Sequence, residues 1–187
     1  MIEPIILASS SPRRKQLLEW AEVPFEIMVE PVEETFPEGL NSTDAAMHIA
    51  LKKALAVKAI VNDNRTIVAA DTVVVLKDKI IGKPKDREDA IAILMQLQGN
   101  THDVITGVAV LKEDRQITFA DVTKVAFNAL TEEQLGFYVD KYQPYDKAGA
   151  YAIQEWIGVV GIKSINGDFY NVMGLPVNRV VQVLQKI

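Results

Sequence analysis

Apolar and polar positions follow two periods along this chain, and the switches between them mark out its elements. The unbroken apolar run Ile5-Ile6-Leu7-Ala8 predicts a short buried strand over residues 4–9. Pro12 then sits near the first position of a helix, and Arg14, Leu17, Leu18 and Ala21 keep helical spacing to about Glu22. Phe25, Ile27 and Val29 alternate within a second strand over Val23 to Val29, and a loop rich in proline and glutamate follows over residues 30–41. Ser42 or Thr43 caps a long helix to about Val61, with Ala46, Ile49, Ala50, Lys53, Ala54 and Val57 along one side. Thr66 to Leu76 predicts a strand that begins buried on both faces and turns at Lys77-Asp78 into Ile80-Ile81.

Gly82-Lys83-Pro84 breaks the pattern, and Asp86 starts a helix through Ala90, Ile91, Leu94 and Leu97 that Gly99 stops. Two long β-rich runs, His102 to Leu111 and Gln116 to Phe127, flank Glu113-Asp114 and predict a hairpin. Thr131 starts a helix to about Tyr142, residues 143–153 read as irregular, Val159 to Ile165 as a strand, and Gly174 onward as a final helix. The order predicts a mixed α/β fold: a twisted mixed sheet flanked by helices, two lobes around a central cleft, all within one domain over residues 1–187.

The net charge of −5, from 20 basic and 25 acidic residues, argues against nucleic-acid binding, which needs phosphate neutralisation by lysine and arginine. The absence of cysteine removes disulfides, thiolate metal sites and cysteine nucleophiles. No apolar stretch approaches the roughly 20 residues of a membrane span, and no secretory pattern opens the chain. A cytoplasmic location, away from membranes, is the expectation.

Five groups of residues could carry chemistry. Ser9, Ser11, Arg13 and Arg14 gather hydroxyls and guanidiniums at a strand-to-helix turn. The free N–H groups and positive dipole end of a helix favour anions there, and arginine matches phosphate oxygens in bidentate fashion. A Ser-Pro-Arg turn taken alone reads more simply as a capped helix start with its arginines in solvent. Asp71-Thr72 follows a buried apolar run, where a carboxylate needs a partner, a metal or a proton to handle. Glu33 and Glu34 could bring a second carboxylate, giving the oxygen donors that a hard divalent cation takes beside substrate phosphates. Lys53, on the apolar side of its helix, and Lys83, in a rigid turn, are candidate phosphate contacts. Gln154, after the small-residue stretch Ala148-Gly149-Ala150, offers both a donor and an acceptor to a base edge. His48 and His102 lack metal-ligand spacing and read as structural.

Set in order, these segments resemble the Maf family of nucleoside triphosphate pyrophosphatases. The matching pieces are Leu7-Ala8-Ser9 with Ser11-Pro12-Arg13-Arg14, Glu33-Glu34, Lys53, Ala70-Asp71-Thr72 and Lys83-Pro84, then Gly99 with His102 and Thr106, Asp146 through Tyr151, and Gly167 with Gly174-Leu175-Pro176. The resemblance implies a fold similar to the inosine triphosphate pyrophosphatases. It also implies hydrolysis of a nucleoside triphosphate to the monophosphate and pyrophosphate with magnesium or manganese. In that reading Asp71 is the proton acceptor, and Asp71 with Glu34 holds the metal. Lys83 joins Asp71 and Glu34 as a catalytic residue. Ser9, Ser11, Arg13, Arg14, Lys53, Thr72 and Gln154 bind substrate, and Arg13, Thr72 and Gln154 match positions tied to base preference. Thr72 with Gln154 is similar to the branch acting on dTTP and UTP, with roles in nucleotide-pool sanitation and cell-division arrest. A homodimer is compatible with the family. The alternative is a non-catalytic nucleotide-binding regulator of cell division, for which a carboxylate beside a polyanion would be a handicap.

Overall fold

The computed structural model describes residues 3–187. Its strands are β1 (Ile5–Leu7), β2 (Phe25–Ile27), β3 (Ile67–Leu76), β4 (Lys79–Ile81), β5 (Thr101–Lys112), β6 (Arg115–Phe127) and β7 (Ile162–Asn166). Its helices are α1 (Pro12–Trp20), α2 (Ser42–Lys58), α3 (Arg87–Leu97), α4 (Glu132–Tyr142), α5 (Trp156–Gly161), α6 (Phe169–Met173) and α7 (Val177–Leu184). The strands hydrogen-bond in the order β2-β1-β3-β5-β6-β7, with β4 on β3. β1 runs parallel to β2 and β3, whereas β3–β4 and β6–β7 are antiparallel, so the sheet is mixed as expected.

The chain forms two compact units. The first holds the described residues up to Thr72, then Thr106–Asp121 and Gly174–Ile187; the second holds Val73–Ile105 and Val122–Met173.

In the first unit the strand period and the helix period meet on one face. Ile67, Ala69 and Asp71 alternate onto the same side of β3. Ala50, Ala54 and Val57 of α2 join Ile67 and Ala69 in one buried cluster with Ile6, Ala8, Ala109 and Leu111. Alanines let the helix lie close, and Gly107 of β5 lets it lie closer still. A Cβ at that glycine would stand 2.3 Å from Ala46 C and 2.4 Å from Met47 N, both backbone atoms of α2. This contact sets the height of α2 above the sheet and so the reach of its side chains. The N-cap of α2 is Asn41, whose Oδ1 accepts from the Asp44 N–H at 2.9 Å, and not Ser42 or Thr43 as the sequence suggests.

In the second unit α3 packs on α4, each started by a side-chain cap, Asp86 and Thr131. Lys77 and Asp78 both adopt left-handed φ at the β3–β4 turn, as a tight hairpin between right-twisted strands requires. Two expectations are corrected here. Val159–Val160 lies in the short helix α5, and the strand begins only at Ile162. The final helix, expected from Gly174 onward, starts only at Val177 as α7, because Gly174 takes φ +115°, and the short helix α6, absent from the sequence reading, precedes it and ends at Met173.

His102 is a core residue of this unit. Its Nε2 lies 2.7 Å from the Tyr151 hydroxyl, and both rings pack against Phe127. Burial pulls the imidazole down to about 4, against a smaller upward pull from Asp103, and pushes the Tyr151 phenol up. The folded protein thus keeps His102 neutral while the unfolded chain takes up a proton below about pH 6.5. This share of the stability is complete above that pH and is lost as pH falls from about 6.5 to about 4. Between pH 7 and 5 the wild type is expected to lose up to about 2 kcal/mol more than His102→Gln, which does not titrate. Urea midpoints of both at the two pH values measure the difference, and parallel losses would contradict it.

Candidate active site

β1 ends at Leu7, and the chain crosses into α1 through Ala8-Ser9-Ser10-Ser11. Ser11 occupies the N-cap of α1, yet its side chain makes no capping bond, so the simple capping role does not account for it. Ser9 is buried. Its Oγ accepts from the Ser11 N–H at 3.3 Å and from Arg14 Nη1 at 3.1 Å. Both lone pairs are then used, which leaves the Ser9 O–H as a donor for an incoming anion.

Arg14 lies on the inward face of α1 beside Leu17 and Leu18. All three of its nitrogens donate to the protein: Nε to Gly174 O at 2.7 Å, Nη1 to Ser9 Oγ, and Nη2 to Thr72 Oγ1 at 3.1 Å. One guanidinium thus ties the β1–α1 turn, β3 and the turn before α7 together. Burial draws its pKa down to about 10, with Arg13 adding to the fall and Asp71 and Glu34 opposing it, so it stays charged at neutral pH. Arg13, the next residue back, is half-buried.

Thr72 is adjacent to Asp71 in β3 and therefore points to the other face of the sheet. Its hydroxyl meets Thr106 Oγ1 at 2.9 Å and Gly174 O at 3.4 Å, besides Arg14. Thr106 is fully buried on β5, and Gly174 carries no side chain to cover Arg14 or Thr72. The family resemblance includes all four residues, but their meeting in one network depends on the fold. The network's one other signal in the sequence is a hydroxyl, Thr106, inside a long apolar run.

Asp71 sits mid-strand, because β3 continues past it to Leu76. It is 8% exposed. Its Oδ1 accepts from Lys53 Nζ at 2.7 Å. The same ammonium lies 2.7 Å from Glu34 Oε1. Lys53 reaches Asp71 because α2 presents it on the face that carries Ala50, Ala54 and Val57, toward the side of β3 that carries Asp71. Of Glu33 and Glu34, it is Glu34 whose carboxylate meets Lys53. Lys52 Nζ donates to the Glu33 carbonyl at 2.7 Å and to Thr35 Oγ1 at 3.3 Å, pinning the loop so that Glu34 meets Lys53.

Two carboxylates joined through one ammonium form an all-oxygen donor pair. That suits a hard divalent cation whose remaining ligands are phosphate oxygens and water, and it is too few for a cage built by protein alone. No group of three or more such side chains converges among the described residues.

Ser9, Arg13, Arg14, Glu34, Lys53, Asp71 and Thr72 therefore belong to one unit, and Ser11 with them. Lys83 and Gln154 belong to the other, both exposed. The Gly82 carbonyl beside Lys83 accepts from the Gly149 N–H at 3.1 Å. Gln154 precedes Glu155, whose carboxylate accepts from the Tyr138 hydroxyl, and that hydroxyl also takes the Ala152 N–H at 3.1 Å. His48 is exposed on α2 and takes no part in either group.

Residues 4–187 match the pattern of the Maf-like protein family. A Cytophaga hutchinsonii protein named dTTP/UTP pyrophosphatase is 48% identical over 183 residues, which is 98% of this chain and 84% of that one. Proteins of the same name from Parabacteroides distasonis and Bacillus cereus are 44% and 46% identical, each over 97% of this chain and 94% of their own length. Among solved structures, a HAM1 protein from Coxiella burnetii superposes over all of both chains with TM-score 0.53 at 14% identity. The Staphylococcus aureus Ham1 protein does so over 98% of each with TM-score 0.52 at 17% identity. At such identities the likeness concerns the fold alone, a mixed α/β sheet with helices on it. The Arg14, Asp71 and Lys53 clusters sit on that fold within a pattern matched almost from end to end, and the chain belongs to the Maf-like protein family.

Proposed function

We propose that this protein hydrolyses dTTP and UTP to the monophosphate and pyrophosphate. The observation that carries the reading is Asp71: a buried carboxylate held by Lys53 and close enough to Arg14 to shift it, in a unit otherwise lined for anions. A binding protein for a polyanion gains nothing from such a charge, whereas hydrolysis needs a group to orient a water and take its proton. The relatives' names support the substrate class.

In this mechanism the triphosphate lies against the N-terminus of α1. The Ser9 O–H, the Ser11 hydroxyl and Arg13 donate to its oxygens. Asp71 orients the attacking water and accepts its proton. Glu34 and Asp71 would hold a magnesium or manganese ion, which when bound would supply charge neutralisation at the phosphates and lower the pKa of that water. Lys83 is assigned to the charge of the leaving pyrophosphate. Gln154 is assigned to the base, whose two carbonyls and one N–H in uracil and thymine complement an amide. Arg14 and Thr72 enter as positioning residues, because their polar atoms already serve Ser9, Gly174 and Thr106.

The test is pyrophosphate release from dTTP, UTP, CTP, ATP and GTP with either metal. Release confined to dTTP and UTP supports the reading. Tight nucleotide binding without release would favour the regulator instead. Release confined to purines would remove the roles of Thr72 and Gln154. A finer prediction concerns Thr106→Val, which keeps the volume and deletes the hydroxyl. Thr72 loses a partner, and kcat/KM on dTTP is expected to fall about fivefold to tenfold, the worth of one hydrogen bond. Thr106→Ser, which restores the hydroxyl, is expected to recover most of it. Equal rates in all three proteins would count against the network.

A further inference from the structure

Lys53 Nζ stands 2.7 Å from Glu34 Oε1 and 2.7 Å from Asp71 Oδ1. The ammonium therefore occupies the place between the two carboxylates to which the reading above assigns a divalent ion. A small divalent ion sits about 2.1 Å from each oxygen it binds, so it cannot share that place with Nζ. Charge leads to the same result. Glu34 and Asp71 are balanced by Lys53 and by Arg14, which feels both carboxylates. A divalent ion entering alone would add two uncompensated charges beside buried groups, where charge is expensive. An ion arriving on a triphosphate brings its own anions.

We propose that Lys53 is a resident stand-in for the divalent cation. In the nucleotide-free protein it keeps the two carboxylates together and keeps a free ion out. When a metal–triphosphate enters, the phosphates draw the ammonium away and the ion takes its place. The inference rests on the assignment of the metal to Glu34 and Asp71.

The side chains suit such an exchange. Lysine carries a point charge on a flexible stem, so it can leave one anion for another nearby. The Lys53 side chain is 18% exposed, which gives it a way out. Glu34 does not follow, because Lys52 holds its loop through the Glu33 carbonyl and Thr35. Two consecutive lysines on α2 thus divide the work: one fixes the loop and the other guards the site. The consequence is strong mutual dependence of metal and nucleotide binding in the wild type, which removal of the ammonium weakens.

Free Mn2+ is followed by its EPR signal while the full chain is titrated with the ion, alone and with the α,β-methylene analogue of dTTP. The ion held by the analogue itself is subtracted. Without nucleotide, Lys53→Met is expected to bind Mn2+ about tenfold or more tightly than the wild type, and with the analogue the two converge. Lys53→Arg, which keeps the charge, is expected to exclude the ion as the wild type does. Should Lys53→Met fail to fold, the wild type alone still decides: its Mn2+ affinity must rise about tenfold with the analogue. Equal affinity of the wild type and Lys53→Met without nucleotide, or no rise with the analogue, would overturn the stand-in and leave the metal assignment intact. No Mn2+ binding in any protein under any condition would overturn both.

Discussion

Asp71→Asn is expected to lower kcat for dTTP and UTP by roughly a hundredfold to ten-thousandfold, the range for loss of a positioned general base. The substitution is nearly isosteric. Its Oδ1 can still accept from Lys53, and Lys53 keeps Glu34, so no buried charge is left without a partner. What disappears is the negative charge and the capacity to take a proton. The lost charge relieves repulsion of the polyanion but also removes an oxygen assigned to the metal, so at saturating metal ion KM is expected to change little while kcat collapses. That split separates a catalytic role from general damage, which would raise KM and lower the melting temperature together. Steady-state kinetics beside a thermal melt measure it. Activity within tenfold of the wild type would move the proton acceptor elsewhere.

The second large effect concerns stability. Gly107→Ala places a methyl 2.3–2.5 Å from three backbone atoms of α2, at Ala46 and Met47. Backbone in the second turn of a long helix cannot step aside as a side-chain tip can. The whole helix must lift, which unpacks Ala50, Ala54 and Val57 from Ile67 and Ala69. The expected cost is at or above the upper end of the roughly 1–3 kcal/mol seen for overpacked cores. Lifting α2 also carries Lys53 away from β3 and from the phosphates it is assigned to meet, so activity is expected to fall further than unfolding alone explains. Gly136→Ala is the contrast. That glycine lies within α4, and a Cβ there meets only the flexible end of Arg87 at 3.6 Å. Helix propensity then dominates and stability is expected to rise by up to about 1 kcal/mol. Urea denaturation of both variants checks the pair; a Gly107→Ala protein as stable as the wild type would show that α2 does not rest on that glycine.

The sequence by itself determined the long elements, and the reason is period. α2 and α3 carry apolar residues at helical spacing over three turns or more, and each begins at a side chain able to cap it. β5 and β6 are long apolar and alternating runs parted by a two-residue turn. It determined as well that Lys53 shares a face with the alanines of α2, and that Asp71 and Thr72, as neighbours in a strand, part to opposite faces. The ordered motifs from Ser9 to Pro176 were enough to suggest the family.

The tertiary structure alone decided the remainder, because it depends on contacts distant in sequence. Val159–Gly161 reads as the start of a strand from its β-branched residues, yet it closes the helix that begins at Trp156: the Glu155 carbonyl takes the Gly158 N–H, and Gly158 packs against the Ile153 carbonyl with no room for a Cβ. A helix of six residues has too few positions to show a period, so such contacts outweigh its propensity. That Glu34 and not Glu33 meets Lys53 goes with a contact from Lys52, 19 residues away along the chain from the Glu33 carbonyl it holds. Arg14 reads as a phosphate ligand beside Arg13, but the turn of α1 carries it inward to Gly174, 160 residues on, and to Thr72. Whether a charged side chain meets the ligand or holds the groups that do is set by which face of its helix is buried and by what the rest of the chain places opposite it.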